Sequence, residues 1–157
     1  MITHTLTVFE DYIIPSKPKN VYIICHSMGG QCTISTLRRF PQWCMEHIRA
    51  IAMTDACESA ARAKGFKLHA WCLDHCINWI CHSEPADTFI KDGSSSKHRS
   101  AGTKDHPLST AKAWPFIWPF FDENGASKSP IEIDISSYIG EEEGTVNASD
   151  DAECRIA

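Results

Sequence analysis

The chain has 157 residues, with 20 acidic and 15 basic side chains and a formal net charge of −5. That length is one domain with room for a sizeable core, and the charge offers no electrostatic argument for nucleic acid. The balance is uneven: residues 122–157 hold ten acidic and two basic residues, whereas 1–121 hold thirteen basic and ten acidic. We therefore read a folded body over 1–121 and an acidic tail over 122–157 that is expected to be disordered. A docking segment for a basic partner is the alternative reading of the tail. Asn147-Ala148-Ser149 fits a glycosylation acceptor, but with no sign of secretion it reads as a chance match.

Residues 1–14 include Glu10 and Asp11 and lack the apolar core of a secretory signal. No run approaches the roughly 20 apolar residues of a membrane span. Eight cysteines are present, and Cys25, Cys72, Cys76 and Cys81 fall inside apolar runs, as reduced core cysteines do. The chain reads as intracellular, cytoplasmic or nuclear.

Along the chain, Leu6, Phe9 and Ile13 recur at helical spacing and predict a helix over 3–14, closed by Pro15. A loop over 16–20 leads to a strand over 21–25, then a helix over 28–40 that Pro41 should stop. A second strand is expected over 48–53, ending at Thr54-Asp55. Leu68, Trp71, Cys72, His75, Cys76 and Trp79 step by three and four, the pattern of a helix with a buried face. A short strand is expected around 78–81. A polar loop follows over 91–100, then a weak strand near 99–101. The aromatic cluster over 114–121 reads as a proline-interrupted helix packed on the sheet. Strands alternating with helices imply a three-layer αβα arrangement with a mostly parallel sheet. Sites in such sheets form at the carboxyl ends of strands.

Cys25-His26-Ser27-Met28-Gly29-Gly30 follows the apolar run Val21-Tyr22-Ile23-Ile24 and has the form of a nucleophile elbow. In such an elbow a serine sits on a tight strand-to-helix turn, and glycines allow the close approach. A serine nucleophile needs a histidine to take its proton and a carboxylate to orient that histidine. Ser27, Asp87 and His106 follow successive predicted strands in the order serine, acid, histidine. Asp55 and Glu84 are rival acids, and the backbone N–H of Met28 is the candidate oxyanion donor. The plain alternative is that serine and glycine serve turn geometry, with His106 an ordinary loop residue and the aspartates helix caps. Cys72, His75 and Cys76, with Cys81 or His82, are a weaker zinc candidate. They lack paired C-x-x-C spacing and lie on an apolar helix face, so core packing is favoured. His26 is expected to point away from Ser27 and to be structural. No metal or cofactor is expected.

Four runs stand in order: N-V-Y-I-I-C-H-S-M-G-G, I-A-M-T-D, N-W-I-C-H-S-E-P-A-D-T and S-A-G-T-K-D-H-P-L-S-T. Together they resemble the Argonaute-binding-protein-two domain over about residues 4–121. More closely, they look like the animal co-transcriptional regulators of the family-with-sequence-similarity-172 group. The resemblance implies an α/β-hydrolase-like fold and roles in Argonaute and small-RNA pathways, heterochromatin formation and alternative splicing. It implies protein partners among Argonaute, chromatin and splicing factors, and no membrane. The family's serine falls on Ser27, its histidine on His106 and its aspartate on Asp87. Family members carry more chain ahead of the elbow, so the resemblance implies a sheet without its N-terminal strands. The expected function is a regulatory interaction module with little or no catalysis. A serine hydrolase of the esterase or thioesterase type is the alternative, and a non-functional fragment a third reading.

Overall fold

The structure, a computed structural model, describes residues 1–57, 65–93 and 96–125. Most of the expected acidic tail, including Asn147-Ala148-Ser149, therefore lies outside the described residues. The elements are α1 (Ile2–Val8, continued by a π-helical turn Phe9–Ile13), β1 (Val21–His26), α2 (Gly29–Arg39), α3 (Pro41–His47) and β2 (Ile48–Thr54). They continue with α4 (Phe66–His75), β3 (Cys76–Ile80), β4 (Phe89–Ile90), β5 (His98–Ser100), a 3₁₀ turn (His106–Leu108) and α5 (Ser109–Gly125).

The fold is mixed α/β. The sheet has five strands in the order β1-β2-β3-β5-β4. β1, β2, β3 and β5 are parallel, and only β4 runs antiparallel, against β5. Alternation along β2 shows why it lies in the middle. Ile51 and Met53 enter one apolar cluster with Ile34, Leu37, Leu68 and Trp71, while Ala50 and Ala52 enter another with Trp79, Ile117 and Phe121. A strand buried on both faces reads as a continuous apolar run, and all of β2 except Arg49 is buried. Helices therefore cover both faces, with α2, α3 and α4 on one and α5 on the other.

Several expectations are corrected. Pro41 does not merely stop a helix but opens α3 at its first turn, where the missing N–H has no partner to lose. Cys76 and Trp79, read as helical, belong to β3, because a parallel strand buried on both faces copies an apolar helix face over a few residues. β4 (Phe89–Ile90) stands just ahead of the expected polar loop over 91–100, and β5 (His98–Ser100) takes up the end of that loop. α5 runs past residue 121 to Gly125, with Pro115 and Pro119 inside it. Both prolines are exposed, so water can take up the carbonyls they leave unbonded.

Among the described helices none is long and apolar enough to cross a membrane. None of the described cysteines is in a disulfide. Cys72 and Cys76 are buried in the first cluster. His75 stacks on Trp71 at 4.4 Å, and its Nδ1–H donates to the Trp71 carbonyl.

Candidate functional site

Three loops leave the carboxyl edge of the sheet through a non-glycine residue in the left-handed region or end close to one. Ser27 (φ 52°) follows β1, Asp55 (φ 45°) follows β2, and Asp87 (φ 66°) lies in the segment after β3. At the first of them Ser27 donates its N–H to the Thr54 carbonyl at 3.2 Å. Its own carbonyl accepts the N–H groups of Gly30 and Cys57, both at 3.1 Å. At Gly29 a Cβ would lie 3.2 Å from the Cys25 Cβ, a tight contact at the close approach of α2 to β1. Met28 is the N-cap residue of α2.

His106, at the start of the 3₁₀ turn, donates Nδ1–H to Asp55 Oδ2 at 2.5 Å, leaving Nε2 as the acceptor nitrogen. The other carboxylate oxygen, Oδ1, accepts the Cys81 N–H at 2.9 Å. Desolvation alone would raise the Asp55 carboxyl; donors from Cys81 and then His106 outweigh it and hold it below its ordinary value. The Cys81 thiol is pushed up to about 12, first by desolvation and then by its hydrogen bond to Asp55. His26, on the α5 side of β1, donates Nδ1–H to the Thr54 carbonyl at 2.9 Å. Its ring lies 4.4 Å from that of His106, so the elbow strand and the His106 loop meet through two imidazoles.

The structure thus gathers Ser27, Met28, Asp55 and His106 at one edge, and it pairs the histidine with Asp55 rather than with Asp87. Asp87 accepts the Trp79 Nε1–H at 3.0 Å and forms an ion pair with Arg99 at 2.8 Å. With both oxygens engaged, it is not the carboxylate that orients His106. Glu84 uses its backbone, accepting the Ser100 hydroxyl at 2.7 Å, and makes no hydrogen bond to His106. Among the described residues no hydrogen bond joins Ser27 Oγ to His106.

The contribution of Asp55 was recoverable from the sequence: it directly follows the apolar run next to the elbow strand and keeps the order serine, acid, histidine. Cys81 and the stacked His26 carry no comparable signal. Two open clefts among the described residues lie away from this edge. One of about 480 Å³ is lined by Asp74, Lys97, Arg99 and Glu123, with Phe89 and Phe120. The other, of about 300 Å³, lies between Tyr22, Ile24 and Trp118.

Gly102 carries the chain from β5 toward His106 with φ +71°, and a Cβ there would sit 2.8 Å from the Ala86 Cβ. Gly102→Ala is expected to lower stability by about 1–2 kcal/mol, read as a lower urea midpoint at unchanged slope. A midpoint equal to wild type would show that the turn is not fixed.

The family model of the Arb2 domain matches residues 1–86, more than half of the chain, and this chain belongs to the Arb2 domain family. The match takes in Ser27, Asp55 and Cys81 and stops before Asp87 and His106. Among individual proteins, the chain is similar to the chicken (Gallus gallus) cotranscriptional regulator ARB2A homolog, 30% identical over 128 residues. It is similar to the mouse (Mus musculus) and human cotranscriptional regulators ARB2A at 30% and 29% over the same length. These alignments cover 80% of this chain and 31% of each relative, so the chain spans about a third of their length. No solved structure gives a significant match.

Proposed function

We propose that this chain is a regulatory interaction module in co-transcriptional gene control, working with little or no turnover on an α/β-hydrolase-like scaffold. The observation that carries this reading is its similarity, over 80% of its length, to proteins named as cotranscriptional regulators. The geometry is in keeping with it. Among the described residues Ser27 makes no hydrogen bond to His106, whose Nδ1–H goes to Asp55. The partners are proteins of Argonaute-linked small-RNA silencing, chromatin and alternative splicing, met in nucleus and cytoplasm. Affinity purification of the tagged chain from cells is expected to recover Argonaute or splicing components. Recovery that is unchanged when residues 21–121 are deleted would sink the reading.

A serine hydrolase is the second reading, favoured by the His106–Asp55 pair beside a left-handed Ser27. Ser27 would attack, His106 would take its proton, Asp55 would orient the ring, and the Met28 N–H would face the oxyanion. A fluorophosphonate probe separates the two. The regulatory reading expects no more labelling of the wild type than of Ser27→Ala. Labelling that disappears in both Ser27→Ala and His106→Ala would establish the hydrolase instead.

A further inference from the structure

Strands β2, β3 and β5 bring three different metal-ligating side chains to one place. Asp55, Cys81 and His106 each offer a ligand atom within 4.8 Å of the other two. Around tetrahedral zinc, bonds of about 2.0–2.3 Å put ligand atoms roughly 3.3–3.8 Å apart, so modest side-chain rotation closes this group onto an ion. The three come from separate loops, and hydrogen bonds hold each of them in place. Asp55 donates its N–H to the Trp79 carbonyl at 2.8 Å, and Cys81 donates its own to Asp55 Oδ1 at 2.9 Å. The His106 carbonyl accepts the Ser109 hydroxyl at 2.9 Å, and its ring rests on His26. Cys81 has no part in either reading of Ser27. All three residues are partly exposed, so an ion reaches them from solvent.

We propose that Asp55, Cys81 and His106 form a binding site for one zinc-class divalent cation. A donor set of one nitrogen, one sulfur and one oxygen suits zinc and its substitute cobalt(II). It does not suit magnesium or calcium, which take oxygen ligands. On binding, the Cys81 thiol proton passes to solvent, and the neutral His106 ring moves its proton from Nδ1 to Nε2, which frees Nδ1 for the ion. Occupation also withdraws His106 and Asp55 from Ser27, so the ion would switch off any chemistry at the elbow. The proposal does not depend on which reading of Ser27 holds.

Cobalt(II) titrated into the whole metal-free chain tests it. One equivalent is expected to bind with a near-ultraviolet thiolate-to-cobalt charge-transfer band, and zinc is expected to abolish that band by displacement. Cys81→Ser should remove the band, and His106→Ala should weaken cobalt binding by more than about tenfold. Cys57→Ser should leave the band in place, because Cys57 is outside the ligand group. Circular dichroism of each metal-free variant separates loss of a ligand from loss of the fold. A band absent from the folded wild type, or one that survives Cys81→Ser, or one that follows Cys57 instead, overturns the site.

Discussion

Trp79→Ala is expected to destabilise the fold by about 3–5 kcal/mol, out of a total that for such a domain is about 5–15 kcal/mol. Trp79 is 1% exposed in the middle of β3 and packs edge-on against Phe120, with ring centroids 5.8 Å apart. Removing the indole opens a cavity between the sheet and α5, which packs on that face. It also takes away the Nε1–H that Asp87 accepts, leaving the carboxylate to Arg99 alone. Trp79→Phe separates the two effects. It keeps much of the packing and forfeits the hydrogen bond, for an expected loss of about 1–2 kcal/mol. Urea unfolding with an unchanged slope reads both values. A loss under about 1 kcal/mol for Trp79→Ala would mean that this face of the sheet is not held by its aromatic core.

Asp55→Ala comes next, at about 2–3 kcal/mol near neutral pH, since it removes the acceptor for both the Cys81 N–H and His106. The figure is kept low in the range because the carboxylate side chain is 24% exposed and partly screened. Its pH dependence has a definite sign. The folded Asp55 carboxyl lies below its unfolded value. Its contribution is therefore fully present above the unfolded value, about pH 4, and is lost as pH falls through the folded value. The gap in unfolding free energy between wild type and Asp55→Ala should stay level from about pH 7 to 5 and close on further acidification. A gap that widens in acid would show that Asp55 is not held as a carboxylate.

The elbow was the most legible part of the chain, because Val21–His26 is apolar enough to be a strand and Gly29 answers a contact of 3.2 Å. β2 was equally plain, being buried on both faces. The errors have local causes. Pro41 is compatible with both a helix end and a helix start, and only the packing of Cys44 into the first cluster decides between them. β4 is two residues long and exists only through its pairing with β5, so no periodicity could reveal it. Of the candidate acids, Asp87 does not pair with His106 because Trp79 and Arg99, 8 and 12 positions away, hold it. Asp55 meets His106 across 51 positions, a separation that only the strand order closes.

The left-handed residues Ser27, Asp55 and Asp87 lie toward the same edge of the sheet. A non-glycine residue in that region stores about 1–3 kcal/mol of backbone strain, and no glycine relieves these three. The two ends of the sheet are therefore unequal. The parallel ladder through Ile51, Ala52, Cys76 and Ile77 is regular and buried, whereas the edge bearing the candidate site starts from a higher local free energy. Partial opening is then directional: the turns beyond the strands release before the ladder does, and the site can loosen while the core stays folded.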